Sequence, residues 1–147
     1  MVLKLIKEET TKFADRDPRR VFIGGFSQGC MVSLAAFLKY TGPEPFGGIL
    51  GLSGMQALTL KPEHQTSERI AVQKQIPIFL YHGEADPLLP IKNVNLTYKY
   101  ILDTFKGELL SFDTEKGLTH SLSDREMALI KYWLGDTMEE REETGMG

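Results

Sequence analysis

Apolar side chains fall into two kinds of pattern along this chain, one helical and one strand-like, and they alternate. Leu3, Ile6, Thr10 and Phe13 recur at helical spacing with Lys4, Lys7, Glu8 and Lys12 between them, which predicts an amphipathic helix over residues 3–15. Asp17-Pro18 ends it, because the residue before a proline is pushed out of the helical region. From Val21 to Gly25 both faces are apolar, the mark of a strand covered on two sides in a parallel sheet. Residues 28–40 are apolar almost all round and predict a buried helix, stopped by Thr41-Gly42-Pro43. Residues 46–52 and 76–81 read as further buried strands, and 59–75 as a polar loop with at most short helical turns. Val94, Leu96, Tyr98, Ile101, Leu102 and Phe105 supply the apolar positions of a helix over 93–105, and 109–114 alternates as an outer strand would. The last helix has a capping box at Ser123-Asp124-Arg125-Glu126, a staple pair in Leu122 and Met127, and a packing face of Met127, Ile130 and Leu134. Residues 139–147 read as a charged, frayed tail, which leaves one domain over 1–138. Strands alternating with helices imply an α/β fold, a parallel sheet with helices on both faces.

Composition narrows the functional classes. The chain has 147 residues, 41% of them hydrophobic and 25% charged, ordinary for a globular domain with its own core. A net charge of −3 provides no basic footprint for nucleic acid or an anionic membrane surface. The longest apolar stretch, residues 30–38, is too short to span a bilayer, and Glu8 and Glu9 interrupt the segment where a signal peptide would keep its apolar core. A single cysteine, Cys30, excludes an internal disulfide and fits a reducing compartment, so the expected location is the cytoplasm. The histidines form no ligand cluster, and neither G-x-G-x-x-G nor a Walker lysine accompanies the glycines, so neither a metal nor another cofactor is expected.

The candidate chemistry sits where strands end. Gly25-Phe26-Ser27-Gln28-Gly29 has the G-x-S-x-G spacing of a nucleophile elbow, with a strand before it and a helix after it. The helix that follows would aim its free N–H groups at developing negative charge. A serine hydroxyl needs a base, and the base needs an anion to hold its tautomer. Asp86 after the third strand and His120 after the fourth complete the order Ser, acid, His. Each has a plainer alternative: Asp86 before Pro87 as a turn residue, His120 as a solvated residue near a helix start. His82 is the rival base, but it stands close to Asp86 in sequence and reads as structural; His64 reads as an exposed loop residue. Cys30 near a helix N-terminus is either an activated thiolate or a packing residue.

GGFSQG, HGEADPLLP and GLTHS, in that order, resemble the acyl-protein thioesterase (lysophospholipase/carboxylesterase) family of α/β-hydrolases over essentially the whole chain. The resemblance implies Ser27 as nucleophile, Asp86 as acid, His120 as base and the Gln28 backbone N–H as an oxyanion donor. It also implies that Ser53-Gly54-Met55 and Leu88-Leu89-Pro90 border the acyl pocket, placing Met55, Leu88 and Leu89 against substrate. The implied substrates are S-acylated proteins, lysophospholipids or simple esters. Cys30 departs from the glycine or small residue the family has there, and would tighten packing at the elbow. The family fold also has earlier strands, one supplying the second oxyanion donor, and a lid-like segment. Only one helix precedes Arg20, so the resemblance implies the C-terminal portion of a three-layer hydrolase fold, with impaired catalysis or pairing with another chain. In that case the strand from Val21 to Gly25 has an unpaired edge, a route to self-association.

Overall fold

A computed structural model describes residues 1–56 and 65–144, with side chains described up to residue 140. His64 therefore lies outside the described residues, as do residues 59–64 of the predicted loop and 145–147 of the predicted tail.

Four strands form one sheet: β1 (Phe22–Phe26), β2 (Gly48–Leu52), β3 (Ile78–Gly83) and β4 (Leu110–Glu115). They lie side by side in chain order and every pair is parallel. Between them run α2 (Gln28–Lys39), α3 (Ser67–Gln73) and α4 (Ile91–Phe105), with α1 (Val2–Thr10) before and α5 (Asp124–Thr144) after. A sheet that grows in one direction by crossovers of constant hand carries its crossover helices on one face. The core divides accordingly. Ile49, Ile78 and Leu80 pack with Ile6 of α1, Leu34 and Phe37 of α2, Ile70 of α3 and Ile101 and Phe105 of α4. On the opposite face Phe22, Leu50, Leu52, Phe79 and Tyr81 meet Ile130 and Trp133 of α5. Trp133 lies edge-on to Phe22 at 6.1 Å between ring centroids and 5.7 Å from Phe79. The three-layer α/β architecture is thus as expected.

Several boundaries differ, each for a local reason. α1 stops at Thr10 and not at residue 15, because the Thr10 and Thr11 hydroxyls donate to the carbonyls of Ile6 (2.7 Å) and Glu8 (2.6 Å) and favour a turn. β1 starts one residue late because Asp17-Pro18 does not simply end a helix: the Asp17 carboxylate caps a short 3₁₀ turn, Pro18–Arg20. β3 begins only after Pro77, which has no N–H for the ladder. Within the predicted loop, α3 is a capped helix whose fully buried Gln73 donates from Nε2 to the Phe37 and Leu38 carbonyls at 2.9 and 3.1 Å. Those carbonyls belong to the last turn of α2, where Tyr40 N–H also donates to Phe37 and the Arg69 guanidinium to Leu38.

The α5 packing face is rotated from the expected one. Glu126, Ile130 and Trp133 are buried, while Met127 is 51% exposed, so neither it nor the equally exposed Leu122 serves the core. The capping box itself is present: Ser123 Oγ accepts from Glu126 N–H at 3.0 Å and Glu126 Oε1 accepts from Ser123 N–H at 3.2 Å. Residues 139–144, read as part of a frayed tail, continue α5, since Glu and Arg are strong helix formers and no glycine intervenes before Gly145.

Among the described residues β1 has a strand neighbour on one side only. Beside it lies an open groove of about 550 Å³, lined by residues of α1, β1 and α2, among them Val2, Ile23, Gly24, Gln28 and Val32.

Candidate active site

The C-terminal ends of β1, β3 and β4 bring three side chains together. Ser27 is held between β1 and α2 at φ 57°, ψ −112°, a conformation that costs a non-glycine residue strain. Gly25 makes this turn possible, because a Cβ there would stand 2.4 Å from the Gly29 carbonyl carbon. Gly29 is different: a Cβ there meets nothing within 4 Å outside its own helix, so the crowding is all on the strand side. Ser27 N–H is anchored by the Leu52 carbonyl at 2.8 Å, which ties the elbow to the end of β2.

Asp86 lies in the loop after β3, with a fully buried side chain. Its Oδ1 accepts from the backbone N–H groups of Leu88 (2.8 Å) and Leu89 (2.9 Å), and Oδ2 stands 2.7 Å from His120 Nδ1. A carboxylate can only accept, so Nδ1 carries the hydrogen and Nε2 is left as an acceptor. Ser27 Oγ stands 2.8 Å from that Nε2 and donates to it. Burial alone would raise the Asp86 pKa; the Leu89 N–H, His120 and Leu88 N–H outweigh it and hold the carboxyl below its ordinary value. Asp86 thus makes the turn contacts of its plainer reading and touches His120 as well.

The His120 loop crosses the end of β3 at a point where only glycine fits. A Cβ at Gly83 would lie 2.1 Å from the Leu118 carbonyl oxygen. Ala85 N–H donates to that same oxygen at 3.0 Å, so the acid loop and the histidine loop are bonded directly. Phe26 lies against the His120 ring, 4.9 Å between centroids. Farther along, Glu115 Oε1 accepts from the Tyr81 hydroxyl (2.6 Å) and the Ser123 hydroxyl (2.7 Å), pinning both ends of the loop.

Gln28 opens α2, and a helix leaves its first N–H groups without intrahelical partners. The Gln28 N–H is therefore a donor beside Ser27. Cys30 is fully buried and fills space that Gly51 and Gly54 leave: a Cβ on either would come within 3 Å of it. Burial pushes its thiol up to about 12, so the thiolate alternative is withdrawn and the packing reading stands. Leu88 is 69% exposed and Leu89 and Met55 are half-buried around this end of the sheet. Ser53, at φ 51° and fully buried, is a strained position that no sequence pattern marked. Among the described residues no three His, Cys, Asp or Glu side chains gather as a metal site, and no helix is long and apolar enough to cross a membrane.

Residues 1–138 match the phospholipase/carboxylesterase family. Acyl-protein thioesterase 1 of Yarrowia lipolytica is 36% identical over 137 residues, covering 92% of this chain and 57% of that protein. Acyl-protein thioesterase 1 of Schizosaccharomyces pombe is 40% identical over 114 residues, 77% of this chain and 48% of that one. The crystal structure of Arabidopsis thaliana SOBER1 superposes with a TM-score of 0.76 at 28% identity, covering 93% of this chain and 61% of that chain. The chain thus spans about half the length of the curated relatives it matches.

Proposed function

The chain belongs to the phospholipase/carboxylesterase family of α/β-hydrolases, and from that premise we propose that it is a serine hydrolase cleaving acyl thioesters or carboxylic esters, of S-acylated-protein or lysophospholipid type, through an acyl-enzyme. The observation that carries the proposal is the unbroken relay from Ser27 Oγ through His120 to Asp86, with contacts of 2.8 and 2.7 Å. Ser27 Oγ attacks the acyl carbon as its proton passes to His120 Nε2. Asp86 Oδ2 holds the Nδ1–H and stabilises the imidazolium that forms. The Gln28 N–H donates to the oxyanion, and one such donor is worth roughly 10²–10³ in kcat. His120 then gives its proton to the leaving thiol or alcohol. Water, deprotonated by the same nitrogen, releases the acid and restores Ser27. Met55, Leu88 and Leu89 border the acyl chain in this reading. The lone buried Cys30 is compatible with a reducing cytoplasm.

The test is active-site labelling. A fluorophosphonate probe should label the purified chain at Ser27 and leave Ser27→Ala unlabelled, with thioester turnover lost and the fold retained. Thioester turnover by Ser27→Ala at the unmutated rate would remove Ser27 from the mechanism.

One observation favours a second reading, in which the chain acts by association and catalyses little alone. Among the described residues β1 has no strand neighbour on its outer side, its sequence carries no lysine or proline, and the residues lining the groove beside it are uncharged, so this side is open to a second copy of the chain. The two readings separate by labelling against mass in solution.

A further inference from the structure

The acid loop holds a second histidine that the relay does not use. His82 is fully buried at the end of β3. Its Nε2 lies 2.7 Å from the Leu89 carbonyl oxygen and 3.4 Å from Asp86 Oδ2, the oxygen that takes His120 Nδ1. A carbonyl only accepts, so Nε2 carries the hydrogen, and its positive end faces both oxygens. Nδ1 is buried without a partner among the described residues. An orphaned ring nitrogen in a core is unfavourable, and an apolar ring would fill the same space without that penalty. The retained polar function is therefore at Nε2.

Leu89 shows what that function is. Its N–H donates to Asp86 Oδ1 at 2.9 Å while its carbonyl accepts from His82, so one residue is gripped from both sides. Pro90 follows, and the first α4 acceptor is the Pro90 carbonyl, so no helical N–H is available to the Leu89 carbonyl. Without His82 that carbonyl loses its donor, and the turn presenting the Leu88 and Leu89 N–H groups loses its anchor.

We propose that His82 is a positioning residue for the catalytic acid: through Nε2–H it fixes the turn that clamps Asp86 Oδ1 and keeps Oδ2 in line with His120 Nδ1. Its kinetic consequence rests on the hydrolase reading above; its geometric consequence does not.

Three variants separate this from simple core packing. The Gln amide nitrogen reaches the place of Nε2, the Asn amide nitrogen only that of Nδ1, and Phe keeps the ring without either. His82→Phe and His82→Asn should lower kcat on a short-chain acyl thioester by up to about 10²-fold, the scale of a displaced catalytic group, with KM essentially unchanged. Both should shift or broaden the downfield ¹H resonance of His120 Nδ1–H. His82→Gln should restore most of both. Equal behaviour of the folded Asn and Gln variants, or a His82→Phe variant with unaltered kcat and proton signal, would overturn the proposal. If the unmutated chain neither turns over nor labels, the hydrolase reading fails by itself. The proton signal, read without substrate, still decides the role of His82.

Discussion

Asp86 is bound at both oxygens, by two backbone N–H groups on one and His120 on the other. That arrangement has a kinetic and a thermodynamic signature. Asp86→Asn turns an acceptor into a donor facing Nδ1, reverses the favoured tautomer of His120, and should cost on the order of 10⁴ in kcat. Asp113 is the control: it pairs with Arg125 at 2.9 Å, away from the relay, and Asp113→Asn should leave turnover intact. Damage from Asp113→Asn in its place would refute the assignment. The thermodynamic sign follows from a folded-state pKa below the unfolded one. The unfolded chain then holds this proton more tightly, so the carboxylate's contribution to stability is complete above its ordinary value near pH 4 and is lost as pH falls through the lower folded value. Denaturant melts across pH should show the stability gap between the unmutated chain and Asp86→Asn narrowing only on the acid side. Much of this site is legible in the sequence, because glycines flanking a serine and a fixed chain order are written in side chains. The Leu88 and Leu89 N–H groups and the Nε2 contact of His82 are not, since a backbone donor has no residue-type signature.

At the scale of elements, α5 is the helix that covers one sheet face among the described residues, joined there by Leu118, and Trp133 is the helix's largest contribution. Trp133→Ala should lower stability by about 3–5 kcal/mol, the range for emptying a buried tryptophan site, measured by chemical denaturation. A change under about 1 kcal/mol, the scale of surface substitutions, would mean that the helix is docked by something else. The same helix shows where periodicity misleads. Its buried stripe runs Glu126, Ile130, Trp133, and a carboxylate in the first position disguises the phase that Met127 and Ile130 then appear to set. α3 escapes for a similar reason: what it buries most deeply is Gln73, a polar cap for α2. The strands β1, β2 and β3, apolar on both faces, are the easier elements to place, and the displaced starts of β1 and β3 trace to Pro18 and Pro77 acting on the backbone.

For the whole molecule, the edge of β1 makes a measurable expectation about assembly. Sedimentation or light scattering of the purified chain should show a mass that rises with concentration toward a dimer. Val32→Lys, which sets a charge at an exposed position of α2 in the groove, should restore the monomer. A monomer at every concentration, with strong thioester turnover, would dispose of the association reading. The order of the strands has a separate bearing on how the sheet is made. Because β1, β2, β3 and β4 adjoin in the order of the chain, β2, β3 and β4 each leave the ribosome with a neighbour already synthesised. Each crossover carries a helix, α2, α3 or α4, and closure entropy grows only slowly with connection length, so assembly can keep pace with translation. The loop behind β4 is made after both other loops, so Ser27 and Asp86 wait, unconnected, until His120 is delivered.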